Sequence, residues 1–540
     1  MSGTAKAPGA STWAPLALTT FRVLWLAQLI SNVGTWMQNL GAQWMLVSRP
    51  DATALTAMAQ AAGLLPVLFL SLPAGVLADI FNRRTFLILT QVAAIAVVTT
   101  LTVLTATGGA TPSVVILLTF ALGSTTALAS PAWQAIQPQL VPRELIPAAA
   151  ALAGLSMNTA RAIGPAVGGA LLAVTSPAVL FGLNAISTVF VVAALIWWRP
   201  SDASSSNPER VLAGLRSGGR YVLNSPATRR ILLRTGLFIL PASALWALLA
   251  VISADRLRLG AGGYGLMLGA LGGGAMLGAL MLDPIRARFS SNALMITFSL
   301  LYAVGMVGAA VVDAAPVVLA LMVVAGVGWL VMLTAFNSSL QLRLSDWVRA
   351  RGMATYLMVF LGGQGIGAVI WGAVGQRIGA TEALLVAVVL MLAGAATVPL
   401  WPMPSKELDL SIGTPLPDPV VDLEPDPLDG PVLVQVTYRV AEERLPAFLS
   451  TARQLERVRR RTGASEWGLY QDVADHCVYI ESFLVPTWEE HLRQHYERTT
   501  TMDAAVIEAM HRFVIAGDEL EDRAKGRHLL SVSLQRPSRW

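Results

Sequence analysis

The sequence has little of what soluble and secreted proteins depend on. Only 13% of its 540 residues are charged, against about 25% in typical soluble domains. Its single cysteine, Cys477, excludes an intramolecular disulfide and fits a reducing compartment. All five histidines lie after residue 475, and the chain contains no phosphate-binding G-x-x-x-x-G-K-[ST] loop, which argues against transport driven by ATP.

Apolar residues are abundant instead. They form 54% of the chain, with a mean hydropathy of +0.60, so the protein needs a lipid bilayer as solvent. Residues 1–402 hold 10 acidic and 22 basic residues, whereas residues 403–540 hold 23 acidic and 16 basic residues. We therefore predict a membrane body and a water-soluble tail. Because the basic residues belong to loops beside the membrane, nucleic acid is not an expected partner.

Twelve apolar segments approach the length of about 20 residues that a bilayer requires. The predicted spans are residues 19–42, 54–77, 85–106, 113–134, 148–172, 178–198, 231–253, 262–282, 291–312, 316–336, 354–376 and 381–401. With the N-terminus inside, fifteen arginines fall in inner loops and four in outer loops. The positive-inside rule then predicts a multi-pass protein of the cytoplasmic membrane with both termini cytoplasmic.

The predicted fold is an all-α membrane protein with twelve transmembrane helices in two six-helix halves, plus a small C-terminal α+β domain. A long basic loop between segments 6 and 7 separates the halves, and its residues from Glu209 to Leu223 are predicted to form a helix on the membrane surface. The predicted domains are an N-terminal half (1–198), a central cytoplasmic loop (199–230), a C-terminal half (231–402), a Pro/Asp-rich linker (403–430) and a soluble domain (431–540).

The tail shows an alternation of strand and helix patterns. Strands are predicted near residues 432–440, 466–471, 477–485 and 529–534, and helices near 445–458, 487–498 and 502–516. The order βαββαβ, with one extra helix, is ferredoxin-like.

A charged hinge lies between segments 2 and 3. Its residues, Gly75-Val-Leu77-Ala-Asp79 followed by Arg83-Arg84, resemble the cytoplasmic loop between helices 2 and 3 of the major facilitator superfamily. Ile80 and Asn82 depart from that pattern, which usually has Arg and Gly there. The resemblance implies a conformational gate, while the simpler interpretation is an ordinary positive-inside loop. A worn second copy is predicted in the other half, at Gly278, Leu280, Asp283, Arg286 and Arg288.

Further motifs make the membrane body similar to the enterobactin-exporter-like branch of drug and siderophore exporters. They include Ser31-Asn32-x-Gly34-Thr35-Trp36-Met37-Gln38 in segment 1 and Pro131-Ala132-Trp133-Gln134 in segment 4. In segment 5, a set that resembles the antiporter motif of proton-linked exporters comprises Asn158, Arg161, Gly164, Pro165, Gly168 and Gly169. The resemblance implies secondary active, proton-coupled export of a small amphiphilic compound by alternating access. The alternative for the glycines is plain helix packing.

Arg161 is a charge deep inside an apolar segment, where it should face the bundle interior. It is predicted to hold an anionic or catecholate-like substrate or to gate proton exchange; the alternative is snorkelling to the inner surface. Segment 1 carries a stripe of amides and indoles that should line a cavity. The predicted cavity residues are Gln28, Asn32, Trp36, Trp133, Asn337 and Gln364.

The acidic residues of residues 1–402 all fall at segment ends or in loops. A proton-driven exporter needs a titrating group in its translocation path, so Asp79, Asp255 and Asp313 are the candidate proton carriers. The prediction that protons are the coupling ion therefore depends on the resemblance, since the sequence shows no chain of titratable residues inside the apolar segments.

The tail resembles the small antibiotic-biosynthesis-monooxygenase-type domain, through its element order and the helix start Trp488-Glu489-Glu490-His491. His491 and His495 share a helix face that could bind metal, but the sequence indicates no third ligand. We predict no metal, no cofactor and no catalytic residue, and a structural or dimerising tail. The alternative is a membrane-tethered enzyme or sensor whose chemistry lies in the tail.

Overall fold

The computed structural model of the protein describes residues 12–199, 211–404, 409–413, 425–513 and 527–531. The serine-rich start of the predicted central loop and most of the predicted linker lie outside the described residues.

The first half consists of six long helices. They are α1 (Thr19–Val47), α2 (Ala52–Ile80), α3 (Arg83–Ala106), α4 (Pro112–Ile136), α5 (Ile146–Val174) and α6 (Pro177–Trp197). Their starts follow local capping chemistry. The side chain of Asn82 accepts a hydrogen bond from the backbone N–H of Thr85, and Thr111 does the same for Val114, which satisfies backbone donors that a helix start leaves unpaired.

The second half repeats this plan after a short amphipathic helix. The elements are α7 (Val211–Asn224), α8 (Pro226–Val251), α9 (Ala261–Leu280), α10 (Leu282–Arg288), α11 (Ser291–Val311), α12 (Ala315–Gln341), α13 (Asp346–Leu357), α14 (Gly363–Ile378) and α15 (Ala380–Ala396). A π-helical turn, Met358–Gly362, joins α13 to α14 into one long span. The spans are thus α8, α9, α11, α12, α13–α14 and α15, with α7 and α10 as additional short helices.

The predicted fold class is confirmed, and the twelve predicted spans coincide with these helices to within a few residues at most ends. Within the described residues, nine helices are long and apolar enough to cross a membrane, and Ala380–Ala396 is a shorter apolar helix. The remaining two, α1 and α5, are less apolar because α1 carries several amides and α5 carries Arg161. The eleventh span begins at Asp346 rather than near residue 354, since its first turns are charged.

The tail forms a four-stranded antiparallel sheet covered by helices. Its elements are β1 (Val432–Arg439), α16 (Leu445–Thr462), β2 (Glu466–Gln471), β3 (Val478–Val485), α17 (Trp488–Arg493) with a π-helical turn Gln494–Arg498, α18 (Thr501–His511) and β4 (Arg527–Leu530). The strand order β2-β3-β1-β4 is that of the ferredoxin-like fold. In β1, every second residue is buried, so one face of the sheet packs on the helices.

The chain divides into two compact units. Unit 1 comprises residues 1–208, 232–336 and 356–403, and unit 2 comprises residues 209–231, 337–355 and 404–540. Unit 2 thus joins α7 and the residues around α13 to the ferredoxin-like domain. The domain boundaries predicted from the sequence stay a prediction.

Contacts inside unit 2 show why these three segments group together. α7 packs against α16, and the Tyr221 hydroxyl donates to the carbonyl of Arg343 at 3.2 Å. Arg343 in turn donates to the carbonyl of Pro404 at 2.5 Å, and the Arg498 guanidinium lies 4.8 Å from the Trp347 ring centroid. The predicted helix is therefore present as α7, and its location at the membrane surface stays a prediction. The sequence did not indicate α16 as its partner.

Candidate substrate-binding cavity

Two adjoining cavities lie inside unit 1. The first, of about 380 Å³, is lined by helices of the first half, and the second, of about 280 Å³, is lined by both halves. They share Thr35 and Trp36 of α1 and Met157 of α5. A cavity of this size, with aromatic walls and a few polar groups, is typical of a small-molecule site.

The polar stripe of α1 runs along both cavities. Gln28 donates to Asn32 at 2.9 Å, and Asn32 donates to Ser156 of α5 at 3.3 Å. The Gln28 Oε1 atom is buried without a hydrogen-bond partner among the described residues. Two successive turns of one helix thus present amides to the first cavity, with Trp133 of α4 on its wall.

A hydrogen-bond chain closes one wall of the second cavity and joins the two halves. Tyr264 of α9 donates to Gln43 of α1 at 2.7 Å, and Gln43 donates to Gln60 of α2 at 2.7 Å. The rings of Trp44 and Tyr264 are stacked with centroids 6.0 Å apart. Because this chain connects helices of both halves, it depends on how the halves sit together.

Arg161 of α5 lines the second cavity. Its guanidinium carbon lies 5.6 Å from the centroid of the Trp36 ring, a cation–π distance. In the described part of the chain, the Nε and Nη1 atoms of Arg161 and the Nε1 atom of Trp329 are buried without a hydrogen-bond partner. Trp329 lines the same cavity. All three atoms are donors, so a ligand that satisfied them would have to supply acceptors.

The glycines of the antiporter-like set pack against two different helices. A Cβ on Gly164 would lie 2.6 Å from the Trp36 Cβ, and one on Gly168 would lie 3.2 Å from the Met37 Cα, both in α1. A Cβ on Gly169 would lie 2.8 Å from the Gly265 Cα in α9, across the two halves. Pro165 is buried beside them, and Asn158 donates to the Gly154 carbonyl at 3.0 Å within its own helix.

The hinge residues lie around the α2–α3 turn. Among the described residues, a Cβ on Gly75 would meet nothing within 4 Å. Leu77 and Asp79 lie in the last turns of α2, and the side chain of Asp79 is outside the described part. Arg83 is the first residue of α3. Arg84 donates to the carbonyls of Leu195 and Ile196 at 2.8 and 2.6 Å, which closes the C-terminus of α6.

Five of the six predicted cavity residues line the two cavities: Gln28, Asn32, Trp36, Trp133 and Gln364. Asn337 does not; it accepts a hydrogen bond from Gln341 at 2.6 Å. The sequence analysis missed the aromatic wall that the second half contributes, formed by Trp246, Tyr264, Trp329 and Phe360. Aromatic residues in apolar spans usually belong to the core or the interfacial belt, so their spacing carried no signal of a cavity.

Two of the candidate proton carriers, Asp255 and Asp313, do not line either cavity. Among the described residues that line either cavity there is no Asp, Glu or His. Asp313 pairs with Arg256 at 2.7 Å, and its side chain is 92% exposed. Asp255 borders a separate pocket beside the α1–α2 loop.

Comparisons with known proteins agree with this architecture. The sequence model of a major facilitator family, MFS_3, described as "Transmembrane secretion effector", matches residues 10–535.

Curated relatives match over shorter stretches. The staphyloferrin A transporter of Staphylococcus aureus is 29% identical over 187 residues, which is 33% of this chain and 47% of that protein. The multidrug efflux pump Tap of Mycobacterium tuberculosis is 26% identical over 239 residues, 41% of this chain and 54% of that protein. The chain thus spans about half the length of the curated relatives it matches.

Solved structures share the fold. An inward-facing bacterial homologue of the human lysosomal transporter Spinster superposes with a TM-score of 0.57 at 14% identity, covering 71% of this chain and 96% of that one. The nucleoside transporter NupG gives a TM-score of 0.56 at 13% identity, covering 71% and 98%. At these identities the likeness concerns the fold alone.

Proposed function

Because the chain belongs to the transmembrane secretion effector family of major facilitator transporters, we propose that it exports a small amphiphilic compound by alternating access. The substrate class is an acceptor-rich, anionic molecule such as a carboxylate or catecholate siderophore, in preference to a cationic drug. The two relatives are named a siderophore transporter and a multidrug efflux pump, so their names cover both substrate classes that we compare.

One observation carries the preference for an anion. Buried donor atoms of Arg161 and Trp329 line the second cavity without a hydrogen-bond partner among the described residues, and no described lining residue is acidic. Burying an arginine beside hydrocarbon is costly unless a partner offsets it. A carboxylate or catecholate would supply both the negative charge and the acceptors, whereas a cation would be repelled by Arg161.

Proton coupling is part of the proposal. Its support is the antiporter-like set in α5, with Gly169 in contact with the other half. Because the described cavity lining holds no acid or histidine, we place the proton-sensitive step at the hinge, with Asp79 as the gating acid. Gly75, Leu77, Arg83 and Arg84 complete that gate in the proposal.

Contacts inside unit 2 support the proposed orientation. Gly218 of α7 lies against the Arg351 side chain, with a would-be Cβ 2.9 Å from its Cβ, so the 6–7 and 10–11 connections meet on one side. Both connections are rich in arginine, which favours the cytoplasmic side of the cell membrane. We propose that both termini and the ferredoxin-like domain lie there too.

Export from everted membrane vesicles tests the proposal. The probes are staphyloferrin A, enterobactin and the cation ethidium, supplied to vesicles of an efflux-deficient bacterium and followed by mass spectrometry or fluorescence. We expect a siderophore to accumulate when the lumen is acidified, and accumulation to stop when an ionophore collapses the pH gradient. Arg161→Ala should lower the initial rate at least tenfold, and Asp79→Asn should abolish it.

The matched control is Arg143→Ala, because Arg143 is an exposed arginine outside both cavities. It should transport at the wild-type rate, with all variants at equal abundance in the membrane. Ethidium transport without siderophore transport, or an unchanged rate in Arg161→Ala, would contradict the anion-binding cavity. Failure to accumulate any of the three probes would contradict export.

We propose that the ferredoxin-like domain has no catalytic role and dimerises the transporter. β2 and β4 are the edges of its sheet, and exposed Tyr470 and Leu529 lie on them. A chain ending at residue 402 distinguishes this dimerising role from the alternative, a membrane-tethered enzyme or sensor. Export should persist if the domain only dimerises the transporter, whereas the activity of a tethered enzyme or sensor would be lost. Light scattering of the full chain in detergent should give the mass of two copies.

A further inference from the structure

Three of the five histidines meet in the ferredoxin-like domain. His491 and His495 lie one turn apart, where α17 continues into the π-helical turn, and His528 comes from the edge strand β4. The ring centroid of His491 lies 4.6 Å from that of His495 and 4.7 Å from that of His528. One ring nitrogen of each residue lies within 4.8 Å of the other two. His528 is therefore a third histidine beside the pair, which the sequence did not indicate.

His491 is the central residue of the cluster, and its ring nitrogens make no hydrogen bond among the described residues. Its side chain is fully buried, and neither Nδ1 nor Nε2 has a hydrogen-bond partner within the described ranges. A buried polar group without a hydrogen-bond partner destabilises a fold, so a fold that keeps one usually has a use for it. The Trp488 ring packs against His491 on the same helix.

The ligand set indicates the kind of ion. Three neutral imidazoles suit Zn²⁺ and other divalent transition metals, and they leave a fourth position for water or an anion. No thiol joins the cluster, since Cys477 lies outside it. Burial is the main cause that lowers the pKa of His491 and of His528, and the charge of Arg459 lowers both further. Its charge is offset by the buried carboxylate of Glu481 at 3.0 Å.

We propose that His491, His495 and His528 form a binding site for one divalent transition-metal ion, with Zn²⁺ as the reference ion. Two nitrogens bound to the same tetrahedral zinc lie about 3.4 Å apart, given Zn–N bonds of about 2.0–2.1 Å. The rings must therefore approach by about an ångström, and His528 on the half-exposed edge strand is the one free to move. The ion would tie β4 to the π-helical turn. The site is independent of the proposed export.

The first test uses the unmodified, tag-free full chain in detergent. After removal of metal by chelation, equilibrium dialysis against Zn²⁺ should give one bound equivalent per chain. X-ray absorption at the zinc edge should show three imidazoles at about 2.0–2.1 Å and no sulfur near 2.3 Å. Co²⁺ in its place should give the intense visible bands of a four-coordinate site. No stoichiometric binding, or a sulfur ligand, would overturn the proposal.

The second test uses the two remaining histidines as matched controls. His528→Ala and His491→Ala should each weaken Zn²⁺ binding more than about tenfold, since loss of an outer-shell partner alone costs about 10- to 100-fold. His476→Ala and His511→Ala should bind as the wild type does. His528→Ala alters a half-exposed residue and should fold, which thermal unfolding of the metal-free chain checks. Equal losses in all four variants, or binding that survives in His528→Ala, would overturn the site.

Discussion

At the scale of single residues, arginines close helices of unit 1. Arg84 of α3 caps α6 through two carbonyls, and Arg234 of α8 donates to the carbonyls of Thr397 and Trp401 beyond the end of α15. Arg256 donates to the Val312 carbonyl at the end of α11. Cations stabilise helix C-termini through the exposed carbonyls and the helix dipole. Residues that the sequence presents as topology signals are thus also structural.

The buried ion pair of the ferredoxin-like domain gives a prediction at this scale. Glu481 is fully buried and accepts hydrogen bonds from Arg459, Tyr438 and Trp467 at 3.0, 2.9 and 2.9 Å. Glu481→Gln would leave the buried guanidinium of Arg459 without its countercharge, and breaking such a pair costs about 3–5 kcal/mol. Hydrogen exchange of the 432–439 and 478–485 segments in the full chain should accelerate accordingly.

The control is Glu456→Gln, which removes a half-exposed carboxylate that pairs with Arg460 on the surface of α16 at 2.9 Å. Surface pairs contribute about 0–1 kcal/mol, so exchange in these strands should hardly change. If the strand amides exchange at the same rate in both variants, the buried ion pair is not what stabilises the sheet.

At the scale of elements, α5 and α9 make a backbone contact that only glycine permits. A Cβ on Gly265 would lie 2.4 Å from the Pro165 carbonyl oxygen and 2.7 Å from the Gly169 Cα. Small residues allow membrane helices to approach this closely and to gain packing energy. Of the motif glycines of α5, Gly169 therefore has its partner in the second half, whereas Gly164 and Gly168 pack against α1.

Gly265→Ala should force these two helices apart. Overpacking of this kind costs about 1–3 kcal/mol, so the thermal unfolding temperature of the full chain in detergent should fall. Gly273→Ala is the matched control in the same helix, because a Cβ there meets nothing within 4 Å. A Gly265→Ala protein as stable as Gly273→Ala would show that the contact is looser than the structure has it.

At the scale of the whole molecule, the two six-helix halves are joined near the α1–α2 loop. There Gln376 of α14 donates to Asp51 at 3.3 Å and accepts from the backbone of Ala54 at 3.4 Å. The Gly169–Gly265 contact lies toward the same end of the bundle. The proposed alternating access requires this end to open as the other closes, so we predict that these contacts break in each transport cycle.

A cross-link between residues 51 and 376 tests that requirement. Asp51→Cys and Gln376→Cys are combined with Cys477→Ser, which removes the chain's own thiol. A short bifunctional methanethiosulfonate should couple the pair, abolish export, and allow it to resume after reduction. Either cysteine alone, treated identically, should export normally. Export at the wild-type rate by the cross-linked protein would rule out rocking of the halves.

Much of this protein can be read from the sequence because the relevant signals are local. Apolar length sets the twelve spans, and the amides of α1 mark a helix too polar for lipid. Alternation in β1 and the helical period in α16 predict the order of the ferredoxin-like domain. Arginine distribution favours one orientation without reference to any contact.

Only the tertiary structure decided which distant groups become partners. It brings Arg161 beside Trp36 in a cavity that Trp329 also lines, and it joins His528 to two histidines more than thirty residues earlier. It also pairs α7 with α16. Such contacts leave no periodic pattern in the sequence, because they depend on how separate helices and strands pack against each other.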